Sequence, residues 1–326
     1  MFRITRILST FNKTPISLCS NELDKKGAFI RKDSSFRNHV CETDPVFKPE
    51  AGRYHLYVSL ACPWAHRTLI VRALKGLDHV IDVSIVDWLM GPNSWEFTGR
   101  DGATLDTVNN AKYLRELYFK VDKDYQGRFT VPVLWDKKTS TIVNNESSEI
   151  IRMFNTAFNQ FAKHPELHFY PEDLRKEIDE INEFVYPNIN NGVYRCGFAV
   201  SQEAYEEAFH NLFNALDKVE EKLSKSRYLV GNRFTEADIR LFTTLVRFDC
   251  VYVGHFKCNK QQIKEYPNIS NYLREIYQME GIKPTVNFFH IKHHYYGSHG
   301  TINPTRVVPV GPNISYLDIP HTRSSL

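Results

Sequence analysis

An early strand-helix-strand pattern constrains the fold of this chain more than any other feature. Residues 54–60 have the alternating pattern of a strand and are rich in strand-forming residues. The run stops at Cys62 and Pro63. Residues 64–74 suit a helix, and residues 80–86 form a second β-branched run. A unit of this kind indicates two parallel strands joined by a crossover helix.

The following segment extends this unit into a larger sheet. A helix is expected at 111–121, and two short strands are expected at 130–135 and 141–143. The polar residues 137–140 between these strands favour a hairpin turn, and residues 146–158 have helical spacing. The order β-α-β-(α)-β-β-α predicts a thioredoxin-like domain.

Beyond Pro165 and Pro171 the pattern is helical. Apolar residues recur at intervals of three and four through 205–223, which is typical of an amphipathic helix. Thr235 and Asp238 have the spacing of a capping box at the start of a further helix. The sequence therefore predicts an α/β thioredoxin-like N-terminal domain followed by an all-α C-terminal domain.

Four regions follow from these patterns. We expect an irregular N-terminal arm at 1–50, the thioredoxin-like domain at 51–160, the helical domain at 161–285 and a tail at 286–326. The tail contains Pro, His and Tyr and has no clear periodicity.

Composition argues against two classes of partner. The net charge is only +3, and no basic tract indicates a nucleic acid or an anionic membrane surface. No apolar run reaches the roughly 18–20 residues that cross a bilayer. We therefore expect neither a nucleic acid nor a membrane as a partner.

The cysteines and the termini bear on localisation. Six cysteines are scattered along the chain, which favours reduced thiols in a cytoplasmic protein. The first acidic residue is Glu22, and the basic residues before it leave a mitochondrial transit peptide open as an alternative. The C-terminal Ser324-Ser325-Leu326 resembles a peroxisomal signal but lacks its basic middle residue, which argues against that compartment.

Cys62 has the setting of a reactive thiol. A cysteine reacts as its thiolate, and the free N–H groups at a helix start stabilise negative charge. Pro63 suits the first helical turn, so a lowered pKa is expected for Cys62; the alternative is a buried structural cysteine. Position 65 is Ala, which excludes a Cys-x-x-Cys disulfide and favours a small thiol such as glutathione as the resolving partner.

Downstream residues are consistent with a glutathione site. Val131 and Pro132 lie where thioredoxin-like domains carry a cis proline, which would present the Val131 main chain to a bound peptide. Glu146 and Ser147 begin the next expected helix, where Ser147 could hold a carboxylate and Glu146 an ammonium group. Ordinary helix capping is the alternative for this pair.

Several uncommon motifs resemble one known family. They are Ala-Cys-Pro-Trp-Ala-His-Arg at 61–67, Asn-Asn-Gly-Val-Tyr-Arg at 190–195, Tyr-Val-Gly-His-Phe-Lys-Cys at 252–258, His-Tyr-Tyr-Gly-Ser-His at 294–299 and Ile-Asn-Pro at 302–304. Between residues 28 and 312 the chain resembles the Xi class of glutathione transferases, the glutathionyl-hydroquinone reductases, which are related to the omega class. It departs from the family at Cys250, where proline is expected.

The resemblance implies a role for each matching residue. Cys62 would be the nucleophile, and Tyr194, Tyr252 and Tyr296 would line the acceptor pocket, with Tyr296 preferred over Tyr295. The residues that would hold glutathione are Trp95, Arg128, Val131, Glu146 and Ser147. The resemblance also implies a homodimer that uses glutathione as co-substrate and a glutathionylated quinol or another small molecule as acceptor.

Three functions remain open from the sequence. The first is reduction of glutathionyl-hydroquinones, in which Cys62 forms a mixed disulfide with glutathione that a second glutathione resolves. The second is an omega-like thiol transferase or dehydroascorbate reductase, and the third is a non-catalytic binding module. The histidines near the C-terminus include His290 and His294 at helical spacing, but without an acidic or cysteine ligand nearby no metal site is expected.

Overall fold

The computed structural model describes residues 23–325 and contains a mixed four-stranded sheet. The strands are β1 (Tyr54–Val58), β2 (Asp82–Ile85), β3 (Val133–Asp136) and β4 (Thr141–Asn144), in the spatial order β2-β1-β3-β4. Strand β1 is parallel to β2 and antiparallel to β3, and β3 pairs with β4 in antiparallel fashion. The crossover and the hairpin predicted from the sequence are both present.

Three helices accompany this sheet. They are α1 (Pro63–Leu74), α2 (Leu114–Val121) and α3 (Ser147–Thr156). Strand β1 is buried along its whole length, and its partner residues include Leu134 of β3 and Val83 of β2. Burial of β1 on both faces explains why its sequence is nearly continuously apolar or aromatic. This part of the chain has the predicted thioredoxin-like architecture.

The chain after α3 is mainly helical. Its α-helices are α4 (Arg175–Val185), α5 (Gly192–Phe198), α6 (Gln202–Leu223), α7 (Glu236–Arg247), α8 (Pro267–Gln278) and α9 (Phe288–Ser298). Two π-helical turns, Tyr186–Asn190 and Phe248–Tyr252, follow α4 and α7. Helix α9 differs from the expectation of an aperiodic tail. The limits of the arm, the two domains and the tail stay predictions.

The capping box predicted at Thr235 is present and fixes the start of α7. The Asp238 carboxylate is buried and accepts from the Thr235 N–H at 2.8 Å. It also accepts from the Tyr272 hydroxyl of α8 at 2.9 Å. Because the same carboxylate caps α7 and bonds to α8, it sets the position of the helix that ends at Arg247.

The described part of the arm, residues 23–50, lies against both halves of the fold. Phe36 donates its N–H to Asn145 at 3.1 Å, just before α3. Phe29 packs on Phe198 of α5 with ring centroids 5.4 Å apart. The basic residues of the expected transit signal precede residue 23 and so lie outside the described residues. Leu326 of the C-terminal signal also lies outside them. No described helix has both the length and the apolar character needed to cross a membrane.

Candidate active site

Cys62 is the N-cap residue of α1. Its sulfur accepts from the Ala65 N–H at 3.5 Å, and its thiol donates to the Val131 carbonyl at 3.5 Å. The side chain is partly exposed, and Pro63 occupies the first helical position. The sequence predicted that Cys62 ends a strand and begins a helix; the helix start is present, but β1 ends at Val58 and a turn separates it from Cys62.

The pKa of the Cys62 thiol differs in direction from the expectation. Burial has the largest effect and raises the pKa above its ordinary value. The Ala65 N–H, the Arg247 charge and the Trp64 N–H lower the pKa, but together they do not offset burial. The prediction of a lowered pKa was therefore wrong for the free protein, although the predicted helix-start donors are present.

The predicted glutathione-binding residues near α3 lie together. The Val131-Pro132 peptide bond is cis, as expected, and the Val131 carbonyl faces Cys62. Glu146 is the N-cap of α3, where its carboxylate accepts from the Ser148 N–H at 2.9 Å and from the Ser34 hydroxyl at 3.2 Å. The capping alternative for Glu146 is thus realised. Through Ser34, the Glu146 carboxylate also contacts the N-terminal arm.

Ser147 is buried at the start of α3. Its hydroxyl accepts from the Arg67 guanidinium of α1 at 3.4 Å, and Arg67 also donates to Asn190 at 3.1 Å. Burial lowers the pKa of Arg67 to about 10, so the side chain keeps its positive charge at neutral pH. A positive charge beside a helix N-terminus favours an anionic ligand at this point.

The remaining two predicted glutathione ligands lie on separate segments. Trp95 is buried and stacks on His294 of α9, with ring centroids 4.8 Å apart. Arg128 is exposed on the segment that leads to Val131. Neither position was derived from local spacing, and the assignment of both to glutathione stays a prediction.

Three tyrosine hydroxyls form a hydrogen-bonded group. The Tyr295 hydroxyl of α9 lies 2.5 Å from that of Tyr194 on α5 and 3.1 Å from that of Tyr252 in the π-helical turn. Burial raises the pKa of all three hydroxyls well above the ordinary value, so they are protonated at neutral pH. They can therefore act as hydrogen-bond donors to a bound acceptor.

Tyr296 is not the third member of this group, in contrast to the expectation. Its ring packs on His255 with centroids 4.8 Å apart, whereas the adjacent Tyr295 reaches the other two hydroxyls. Successive side chains on an α-helix point about 100° apart. Only one of two adjacent tyrosines on α9 can therefore face Tyr194 and Tyr252.

The tyrosine group adjoins Cys62 through aromatic contacts. Trp64, two residues after Cys62, packs on Tyr194 with ring centroids 4.9 Å apart. The Arg31 guanidinium of the arm lies 4.1 Å from the Trp64 ring centroid and 4.9 Å from that of Tyr194. The thiol, three hydroxyls and a cation from the arm thus occupy one region between the two domains.

Arg31, Arg67 and Arg247 were not among the residues predicted for this region. Arg67 closes the 61–67 motif, so its position in that motif was an available signal. Arg31 lies in the arm, which lacks regular periodicity, and Arg247 ends a helix on which several side chains are buried. Nothing in the local pattern around Arg31 or Arg247 indicates that its charge acts on Cys62.

Cys250 and the C-terminal histidines have structural partners. Cys250 replaces the expected proline within the π-helical turn, where its thiol donates to the Arg247 carbonyl at 3.4 Å. His290 bonds to the Asp101 carbonyl at 2.7 Å, and His294 bonds to the Trp88 carbonyl at 2.9 Å. Within residues 23–325 no group of three or more His, Cys, Asp or Glu side chains is arranged to hold a metal ion.

Two domain models match the chain. The glutathione S-transferase N-terminal domain matches residues 61–157, and the glutathione S-transferase C-terminal domain matches residues 202–275. The thioredoxin-like part and the helical part therefore define, together, an enzyme with the architecture of a glutathione transferase.

Two similar proteins identify the family within the glutathione transferases to which the chain belongs. The glutathionyl-hydroquinone reductase YqjG of Escherichia coli is 55% identical over 91% of this chain and 92% of its own length. The glutathionyl-hydroquinone reductase PcpF of Sphingobium chlorophenolicum is 54% identical over 88% of this chain and 90% of its own. The chain belongs to the Xi class of glutathione transferases, the family of the glutathionyl-hydroquinone reductases.

The similarity extends to the three-dimensional structure. The crystal structure of the Xi glutathione transferase of Phanerochaete chrysosporium superposes with a TM-score of 0.88 at 54% identity, covering 92% of this chain and 97% of that one. The glutathione-bound structure of Escherichia coli YqjG superposes with a TM-score of 0.86 at 55% identity, covering 89% of this chain and 96% of that one.

Proposed function

We propose that this enzyme uses glutathione to reduce glutathionyl-hydroquinones, with Cys62 as the nucleophile. The observation that carries the proposal is a helix-capping thiol next to three linked, protonated tyrosine hydroxyls. Two relatives at 54% and 55% identity are named as reductases of this kind. A thiol alone would suit many acceptors, whereas a row of phenolic donors suits an acceptor with ring oxygens.

In the first step, the Cys62 thiolate attacks the sulfur of the glutathionyl-hydroquinone. A bond forms between the two sulfurs, and the bond between sulfur and the ring carbon breaks. The ring carbon retains the electron pair and takes a proton, so hydroquinone leaves. Tyr194, Tyr252 and Tyr295 form hydrogen bonds with the ring hydroxyls, as donors or as acceptors, and one of them delivers the proton by general acid catalysis.

In the second step, a glutathione thiolate attacks the mixed disulfide between Cys62 and glutathione. Oxidised glutathione leaves, and Cys62 is restored as a thiol. Position 65 is Ala, so the first turn of α1 supplies no second thiol to compete with glutathione. In the net reaction the thioether sulfur of the substrate and the thiol of one free glutathione are oxidised together to the disulfide, and a carbon–hydrogen bond replaces the ring carbon–sulfur bond.

Glutathione is held, in this proposal, by the residues around the cis peptide and the start of α3. The Val131 main chain pairs with the peptide of glutathione, while Ser147 and the N-terminus of α3 bind the γ-glutamyl carboxylate. Glu146 pairs with the ammonium group, and Trp95 and Arg128 complete the site. The buried positive charge of Arg67 beside Ser147 supports the assignment of the carboxylate to this point.

An omega-like thiol transferase is the second candidate. It is favoured by a relative from Schizosaccharomyces pombe, 52% identical over 90% of this chain, that is named glutathione S-transferase omega-like 2. Such an activity needs Cys62 but not the tyrosine hydroxyls. Loss of one hydroxyl from the group therefore separates the two candidates.

The decisive experiment compares two substrates with the same enzyme preparation. The wild-type protein is assayed for hydroquinone release from a glutathionyl-hydroquinone and for reduction of a mixed disulfide between glutathione and a peptide. We expect turnover of the glutathionyl-hydroquinone, its loss in Cys62→Ser, and retained turnover in Cys41→Ser, which alters a described cysteine outside the site. Full reductase turnover by Cys62→Ser would refute the role of Cys62.

We further propose a homodimeric, cytoplasmic enzyme. The family resemblance and the scattered cysteines support these two assignments. Light scattering on the purified chain of 38.0 kDa tests the first, because a dimer has twice that mass. Localisation of the tagged full-length chain by microscopy tests the second, and import into mitochondria would contradict it.

A further inference from the structure

Arg247, the last residue of α7, reaches across the domain interface to the turn that carries Cys62. We propose that Arg247 is a positioning residue for the nucleophile: it fixes this turn and supplies the positive charge that balances the Cys62 thiolate. This inference deepens the proposed function and rests on it, since the charge matters for a reaction that passes through a thiolate.

The guanidinium holds the two residues immediately before Cys62. Its Nε donates to the Ala61 carbonyl at 2.8 Å, and one terminal nitrogen donates to the Leu60 carbonyl at 3.2 Å. These bonds join α7 of the helical domain to the start of α1 in the thioredoxin-like domain. A shift of Arg247 would therefore change the position of the sulfur relative to the helix-start donors.

The other terminal nitrogen of Arg247 also forms two hydrogen bonds. It donates to Nδ1 of His66 at 3.0 Å and to the Thr243 carbonyl at 2.7 Å. Because Nδ1 accepts, the proton of the neutral imidazole lies on Nε2, which bonds to Thr285 at 2.7 Å. His66 follows Cys62 by one helical turn, so Arg247 contacts α1 on both sides of the nucleophile.

The charge of Arg247 has neutral hydrogen-bond partners. The side chain is fully buried, and each of its three nitrogens donates to a carbonyl or to the imidazole. Among residues 23–325 no carboxylate forms an ion pair with it. A buried charge without a counter-charge is costly, and the structure retains it beside the one thiol that is to become an anion.

Other charged or titratable groups also interact electrostatically with Cys62. They are Arg31 from the arm, Arg67 from α1 and Tyr194 from α5. Arg247 lowers the pKa of Cys62 more than Arg31 does, which agrees with the complete burial of Arg247 and the partial exposure of Arg31. The Arg247 charge also favours ionisation of Tyr252 and Tyr295, so it acts on the whole site.

The test measures the reactivity of Cys62 without any quinone substrate. Alkylation by iodoacetamide is followed at Cys62 by peptide mass spectrometry, over a range of pH, in wild type, Arg247→Gln and Arg247→Lys. Loss of a nearby opposite charge shifts a pKa by about one unit or more, so we expect the rate at pH 7.5 to fall about tenfold in Arg247→Gln. Arg247→Lys keeps the charge but not the forked bonds, so the pH at which its alkylation levels off should stay close to that of wild type, even where the rate itself falls.

Arg323 provides a matched control. It is also fully buried and donates to main-chain carbonyls, including Leu223 at 2.7 Å and Arg227 at 2.6 Å, and it is not among the charges with the largest effect on Cys62. Arg323→Gln should lose stability while the Cys62 rate stays unchanged. Unfolding by urea is measured for every variant, so a general loss of structure is distinguished from a local change at the thiol.

Two results would overturn the inference. One is a folded Arg247→Gln protein with the wild-type alkylation profile. The other, decisive if Arg247→Gln does not fold, is a folded Arg247→Lys protein whose alkylation levels off about a pH unit or more above wild type, although lysine retains the positive charge. Failure of the proposed function gives a different result: wild type would not turn over the glutathionyl-hydroquinone, whereas the alkylation difference between variants would persist.

Discussion

The hydroxyl groups of Tyr194 and Tyr295 lie 2.5 Å apart, although the two residues are separated by 101 positions in the chain. One tyrosine comes from α5 and the other from α9, so their contact joins the first part of the helical domain to the C-terminal region. Burial raises the pKa of both hydroxyls and keeps them protonated. A protonated pair of this kind can donate one hydrogen bond within the pair and one to a ligand.

Tyr295→Phe should reduce hydroquinone release about a hundredfold, which is within the range for loss of a general acid. Tyr296→Phe removes a hydroxyl from the next residue of the same helix and should stay within about twofold of wild type, because Tyr296 lies outside the group. The measurement is kcat/KM with a glutathionyl-hydroquinone for both variants. Equal effects of the two substitutions would show that the linked hydroxyls have no particular role.

The same pair of variants separates the two candidate functions. Reduction of a mixed disulfide between glutathione and a peptide needs a thiolate but no proton donor to a ring. Tyr295→Phe should therefore retain this activity if the enzyme has it. Parallel loss of both activities in Tyr295→Phe would instead indicate that the substitution disturbs Cys62.

The reactivity of Cys62 should rise with pH over an unusually high range. Burial raises the pKa of this thiol, so the thiolate is the minor form at neutral pH and increases about tenfold per pH unit below the pKa. Cys41 is exposed, and hydrogen bonds from Thr43 lower its pKa. Alkylation of Cys41 should therefore level off at a lower pH than alkylation of Cys62.

Both rates can be read from one sample by peptide mass spectrometry at a series of pH values. Because each cysteine is compared with the other in the same protein, reagent decay and pH effects on the reagent cancel. If Cys62 levelled off first, the N–H donors at the start of α1 would outweigh burial, and the original expectation of a low pKa would be restored.

Ser147→Ala should weaken the binding of glutathione. A hydrogen bond to a charged group contributes about 1.5–3 kcal/mol, so KM for glutathione is expected to rise about tenfold or more with little change in kcat. Thr156→Ala, at the exposed end of the same helix α3, is the control and should leave KM unchanged. An unchanged KM in Ser147→Ala would place the γ-glutamyl carboxylate elsewhere.

Much of the fold could be predicted because its signals are local. The run of strand-forming residues in β1, the turn between β3 and β4 and the capping box of α7 each depend on residues within a few positions of one another. Helix α9 was not predicted, since its aromatic and histidine residues give no clear apolar face. His290 and His294, at a spacing of four, were its only local signal.

The site was less predictable where its properties depend on distant segments. The position of Cys62 follows from the strand and helix around it, but its pKa depends on burial by residues that the local sequence does not specify. The choice between Tyr295 and Tyr296 depends on the rotation of α9, which neighbouring packing determines. Arg247 lies 186 positions from Ala61, to which it donates, so no spacing rule could link them.

Gly197 in α5 leaves room for the aromatic packing that supports the tyrosine group. A Cβ atom at this position would lie 2.1 Å from Cδ1 of Phe256, and the Phe256 ring stacks on Tyr252 with centroids 5.4 Å apart. Gly197→Ala would therefore displace Phe256 and, with it, Tyr252. Overpacking of this kind costs about 1–3 kcal/mol in the free energy of unfolding, and we expect reductase activity to fall as well.

Gly192, in the same helix, is the matched control. A Cβ atom there would meet Leu212 at 3.7 Å, an ordinary van der Waals distance, so Gly192→Ala has space. Alanine is the better helix former by roughly 0.5–1 kcal/mol, and this substitution should leave stability unchanged or increase it. Urea unfolding and kcat/KM are measured for both variants. If Gly197→Ala were as stable and as active as Gly192→Ala, the packing of Phe256 could not be what holds Tyr252 in place.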